Sequence, residues 1–184
     1  MMQPVDLHDE TYAEEHKDTI AWHGGVRKCT SDDILKLWKG APLQKDAFGD
    51  FKEYLLRYHT RGKNQNKFSA PIKAGYNIIR FDNVIMERLC EKYNEMDRGD
   101  MKLFHPRDQL DGMMMAYNWF ENMEEPKSYS MDSLREFFGM SKDGAHDALQ
   151  DVRDTGQIIT RFMNLHRRFA EKVKFKGSFK NSVK

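Results

Sequence analysis

Apolar residues recur every three to four positions through several stretches of this chain, the spacing that gathers one buried face on a helix. Thr30 and Asp33 fit a capping box ahead of Ile34, Leu35, Leu37 and Trp38, because each side chain can satisfy a backbone N–H that the first helical turn leaves open. Gly40 and Pro42 then supply a stop. From residue 46 to about 59, Phe48, Phe51, Leu55 and Tyr58 fall on one helical face and are predicted to be core. The polar stretch 60–67 breaks the pattern, and 69–75 reads as a short strand beginning beside Pro71. Phe81, Val84, Ile85 and Leu89 resume helical spacing.

Further on, residues 102–105 are predicted to be extended ahead of Pro106, and helices are predicted over 109–122, 130–138 and 146–172. Ser130 is placed to cap the second of these, with Gly139 beyond its end. Met113, Met114 and Met115 read as flexible core filler in the first. Strands alternating with helices indicate an α/β arrangement.

A length of 184 residues accommodates one domain with a sizeable core. Charges nearly cancel overall, at a formal +1, but they are unevenly spread. Residues 1–22 form an acidic head with Asp6, Asp9, Glu10, Glu14, Glu15 and Asp18 against Lys17 alone. Residues 169–184 form a basic tail, leaving 23–168 as the domain proper. The tail interleaves Lys174, Lys176 and Lys180 with Phe175 and Phe179, a pattern suited to phosphate contact plus base stacking and equally to a solvated extension. The two cysteines, Cys29 and Cys90, lack the spacing of a zinc site. No apolar run reaches the roughly 18 residues of a membrane span, and the start has no signal-peptide pattern, so no membrane partner is expected and cytoplasm is the expected location.

The segment from Gly75 to Asp82 runs from a strand end through a turn into a helix, and so puts a carboxylate where open α/β sheets commonly assemble sites. Asp82 is thus a candidate metal ligand, although an aspartate at a helix start also serves as a cap. The segment from Gly144 to Asp154 sets His146 ahead of Asp151 at the start of a long amphipathic helix. An imidazole titrates near neutrality and suits activation of a water nucleophile, while a carboxylate suits a hard cation such as Mg²⁺ or Mn²⁺. Taken alone, His146 is more often a capping or surface histidine.

Together, Gly75-x-Asn77-x-x-x-Phe81-Asp82 and the later His146-x-Ala148-x-x-Asp151 resemble the second and third motifs of the DnaQ-like (DEDDh) 3′-to-5′ exonucleases, in the family's order. Leu110-Asp111-Gly112 is similar to the family's Ile-Asp-Thr segment, and His23-Gly24-Gly25-Val26 to its His-Gly-Ile-Thr segment. The likeness covers roughly residues 20–165 and is to compact exonucleases of the kind found in bacteriophages. It implies an RNase H-like sheet flanked by helices, a two-metal Mg²⁺ or Mn²⁺ site, and removal of nucleotides from single-stranded DNA or RNA 3′ ends. Asp82 and Asp151 match metal carboxylates and His146 the general base. Asn77 and Tyr76 match residues beside the substrate strand, with Tyr76 standing where the family more often has histidine. A DNA polymerase is a partner that the resemblance implies, and host cytoplasm the location for a bacteriophage protein.

The family's first motif, an Asp-x-Glu on its central strand, occurs nowhere in this sequence. The nearest string, Asp9-Glu10-Thr11, has His8 where the first aspartate belongs and reads as an acidic surface turn or helix start. The expected fold is therefore an incomplete, helix-rich version of the RNase H-like one, lacking its central N-terminal strands. A start downstream of the motif, a second polypeptide that supplies it, and a non-catalytic remnant are the explanations, the first being preferred. Two carboxylates alone would hold two cations poorly, so weak or no catalysis is expected of this polypeptide by itself. The rival functions are a nucleic-acid-binding or accessory subunit that keeps the fold without the chemistry, and a helical interaction protein whose motifs match by chance.

Overall fold

The computed structural model describes residues 3–4, 7–9, 11–59, 67–143 and 147–173. In chain order these form α1 (Tyr12–Glu15), α2 (Lys17–Arg27), α3 (Ser31–Lys39), α4 (Gln44–Leu56), a 3-10 turn at Lys67–Ser69, β1 (Lys73–Gly75) and α5 (Asp82–Lys92). There follow β2 (Met96–Asp97), β3 (Asp100–Met101), β4 (Gln109–Asp111), α6 (Gly112–Phe120), α7 (Met131–Phe137) and α8 (Ala148–Lys172). Helices dominate, and the described strands make two two-stranded sheets, β1 with β4 and β2 with β3. None of the described helices is long and apolar enough to cross a membrane. The described residues divide into two units, one from Met1–Pro71 with Met86–Arg107 and one from Ile72–Ile85 with Asp108–Lys184.

In the first unit the capping box forms as its sequence requires. The Thr30 hydroxyl accepts from the Asp33 N–H at 3.2 Å, and the Asp33 carboxylate accepts from the Thr30 N–H at 3.1 Å. That cap starts α3 where Ile34 and Trp38 can bury beside Leu7 and Ile20. Phe48 and Leu55 of α4 pack with Cys90, Leu103 and Phe104, each such burial contributing about 1.5–3 kcal/mol. Tyr58, expected on the same face, is exposed, because α4 ends at Leu56 and the helical spacing lapses there. Residues 102–105 are not a strand. Leu103 and Phe104 are both buried in one cluster, whereas successive strand residues point to opposite faces. The extended pair lies just upstream, where β2 and β3 form an antiparallel hairpin turning through Arg98 and Gly99, both at positive φ. Cys29 and Cys90 form no disulfide.

The second unit carries the residues singled out for chemistry. β1 and β4 run parallel with Lys73 opposite Gln109, Ala74 opposite Leu110 and Gly75 opposite Asp111. The strand expected from residue 69 begins only at Lys73, since Ser69 closes the 3-10 turn and Pro71 has no N–H to give a ladder. Likewise the helix expected from 109 starts at Gly112, because Asp111 ends β4 and caps α6. Ser130 caps α7 by accepting from the Ser133 N–H at 3.1 Å, and Gly139 takes the left-handed conformation, φ +63°, just beyond it. Helices α6, α7 and α8 bury Ala116, Phe120, Leu134, Ile158 and Phe162 between them. Of the methionine run, Met115 joins this core and Met114 is exposed.

Candidate functional site

Beyond Gly75 the chain leaves β1 through Tyr76 and Asn77 and turns into α5, whose first residue is Asp82. Asp111, on the neighbouring strand end, holds this turn. Its Oδ1 accepts from the Asn77 N–H at 3.0 Å and the Met113 N–H at 2.9 Å, and its Oδ2 from the Ile79 N–H at 3.3 Å. A third bond to Oδ1, from the Met114 N–H at 3.4 Å, completes the cap on α6. The carboxylate is 6% exposed, so a charge sits in the interior with oriented backbone dipoles as its partners. Asn77 adopts φ +55°, a left-handed conformation that asparagine tolerates better than most residues, and this aims its N–H at Asp111. Gly112 leaves room for the turn: a Cβ there would lie 3.0 Å from the Tyr76 ring. The Tyr76 hydroxyl donates to the Tyr129 carbonyl. Burial and, after it, the charge of Asp111 raise the Tyr76 pKa, which keeps the phenol a donor.

Asp82 is exposed at the start of α5, yet its carboxyl pKa is raised. Partial desolvation is the main cause; its own backbone N–H acts in opposition, and Asp111 adds a smaller upward push.

Asp151 is gripped from α7. Arg135 is 2% exposed and donates from Nε to Asp154 Oδ2 at 2.8 Å, from Nη1 to Asp132 Oδ1 at 2.9 Å and from Nη2 to Asp151 Oδ1 at 2.5 Å. Asp154 is equally buried, and its other oxygen accepts from the Gln150 side chain at 2.8 Å. Burial works against the guanidinium charge, but the bonds to Asp151, Asp154 and Asp132 outweigh it and raise the Arg135 pKa. The helix that carries Asp151 also packs on β1, which leads into the turn at 76–81, and on α6, which Asp111 caps.

Asp82 thus neighbours Asp111, while Asp151 sits in the Arg135 network; Asp82 and Asp151 share no hydrogen-bond partner among the described residues. Among those residues no group of three or more His, Cys, Asp or Glu side chains assembles as a cation site. His146 lies outside the described residues, as does the tail from 174 onward. In kind, Asp82 and Asp151 suit Mg²⁺ or Mn²⁺, since both offer anionic oxygen and Mg²⁺ is commonly held by one or two carboxylates plus water and substrate phosphate. The sequence pattern alone did not single out Arg135 or Asp132. Arg135 stands beside Glu136 between Leu134 and Phe137, so no local pattern marked it for burial. No protein-family model, curated protein or solved structure matches this chain.

Proposed function

We propose that this chain carries the second- and third-motif residues of a metal-dependent 3′-to-5′ exonuclease that removes nucleotides from single-stranded DNA or RNA ends. The observation that carries the reading is the parallel pairing of β1 with β4, in which Gly75 faces Asp111 at the strand ends, with the Asp82 turn following β1 and α8, the helix of Asp151, packed on the same strand. Ligand sites of open α/β sheets gather at such carboxyl ends. Asp82 and Asp151 are the residues that would hold Mg²⁺ or Mn²⁺, which supplies charge stabilisation to the attacking and leaving oxygens of an in-line displacement at phosphorus.

The remaining roles belong to the chain itself. Asp111 fixes the turn so that Asn77 and the Tyr76 ring stand beside the substrate strand, the Tyr76 hydroxyl being already engaged by Tyr129. His146 takes the proton of the water whose oxygen bonds to phosphorus as the bond to the 3′ oxygen breaks. A DNA polymerase or a polypeptide bearing an Asp-x-Glu strand is the partner this reading calls for. The test is release of a mononucleotide in Mn²⁺ from a single strand labelled at its 3′ end. Early release of the 3′ label, with the 5′ label staying on shortening strands, is expected at a low rate, because the sequence has no Asp-x-Glu.

A second reading, a nucleic-acid-binding or accessory subunit with the exonuclease fold, is favoured by one specific observation: Asp151 already pairs with a cation, the Arg135 guanidinium. Under that reading the chain retains single strands on a filter or in an anisotropy titration and releases no nucleotide in Mn²⁺.

A further inference from the structure

The Arg135 network has an order to it. Asp154 anchors the guanidinium from the buried side, with Gln150 fixing the opposite oxygen of that aspartate, and both ions of the pair are 2% exposed. A guanidinium held through Nε in a closed interior has no freedom to rotate, and its planar fork presents the two remaining nitrogens in set directions. One of them meets Asp151, whose side chain is 40% exposed. One oxygen of Asp151 is thereby tethered; the other has no hydrogen-bond partner among the described residues.

We infer that Arg135 is a positioning residue for Asp151, holding one carboxylate oxygen so that the second is presented to a divalent cation. The inference rests on the exonuclease reading and deepens it. Partners that orient a metal ligand change metal affinity by about 10- to 100-fold when lost. A lysine at 135 keeps the charge but lacks the fork that reaches Asp154 and Asp151 together. Asp132 takes the third arm of the same guanidinium and is exposed, so its loss leaves the bond to Asp151 in place.

The test uses the full chain and Mn²⁺ alone, with free Mn²⁺ read by electron paramagnetic resonance and folding read by circular dichroism. Wild type is expected to take up Mn²⁺ in a manner lost in Asp151→Asn. Folded Arg135→Lys is expected to bind about 10- to 100-fold more weakly, and Asp132→Asn to stay close to wild type. Where Arg135→Lys fails to fold, Gln150→Ala loosens the same anchor with every charge kept and is expected to weaken binding in the same direction. Wild-type affinity in folded Arg135→Lys, or in Gln150→Ala where that substitutes for it, overturns the positioning role while leaving Asp151 as a ligand. Absence of any Asp151-dependent uptake in wild type overturns Asp151 as a cation ligand of this chain and the role of Arg135 with it, whereas the exonuclease reading fails separately if no nucleotide is released when an Asp-x-Glu strand is supplied.

Discussion

Asp111 and Asp154 are both buried carboxylates of the second unit, and their charges are met in different ways. Backbone N–H groups surround Asp111, all from the turn at 77–79 and the first turn of α6. Side chains surround Asp154: Arg135 from α7 and Gln150 from its own helix. The first arrangement shapes a stretch of backbone and leaves no mobile cation in the site. The second joins two helices through a full ion pair and, by way of the same arginine, reaches the half-buried Asp151. In both regions a buried acid is fixed beside a more accessible one, exposed Asp82 in the first and half-buried Asp151 in the second, and only the buried acid has both oxygens bonded among the described residues.

The largest difference between the two should appear on truncation. Asp154→Ala leaves a buried guanidinium without its buried partner and is expected to cost about 3–5 kcal/mol, read from urea unfolding. A loss below about 1 kcal/mol would show that Arg135 relaxes onto Asp132 and Asp151 without penalty. Asp111→Ala removes a helix cap and a charged acceptor from two turn amides, for an expected cost on the order of 2–4 kcal/mol. Its signature is local: hydrogen exchange at the Asn77 and Ile79 amides should accelerate while that of α7 is unchanged. Asp111→Asn keeps an acceptor and should lose about half as much.

Gly112→Ala pits two smaller effects against each other. Helix propensity favours alanine by about 1 kcal/mol, whereas a methyl 3.0 Å from the Tyr76 ring overpacks the turn, at about 1–3 kcal/mol. A net loss of about 1 kcal/mol is expected, and a net gain would mean that the Tyr76 ring is free to shift. Least affected is Asp82→Asn. Because the folded protein raises the Asp82 pKa, the native state binds that proton more tightly than the unfolded chain, and stability falls as pH rises through the carboxyl range. The penalty persists at neutral pH and vanishes once both states are protonated, below about pH 3. Asp82→Asn should therefore raise Tm slightly at pH 7 and leave it unchanged at pH 3.

What was legible in the sequence is what local chemistry decides. The Thr30 and Ser130 caps, the Gly139 stop and the helical face around Phe48 and Leu55 each depend on residues within a turn or two of one another. The misreadings at 69–72, 102–105 and 109–111 came where a proline, a pair of adjacent buried residues or a capping aspartate overrode the apolar spacing. Of the site, Asp82 and Asp151 were marked by motif, but the clamp by Asp111 on Asn77 spans 34 positions and the bond from Arg135 to Asp154 spans 19. Pairings at that range depend on the parallel strand register and on helix packing, which no local pattern encodes.

The central claim is that the second- and third-motif segments act at one centre. Its most direct measurement is a double-mutant cycle on single-turnover nucleotide release in Mn²⁺, comparing wild type, Asp82→Asn, Asp151→Asn and the double variant. Strong non-additivity is expected, with each single change costing nearly as much as both, as for residues that act as a unit. Release that is the same in all four proteins, or losses in the single variants that simply add in the double, would contradict it.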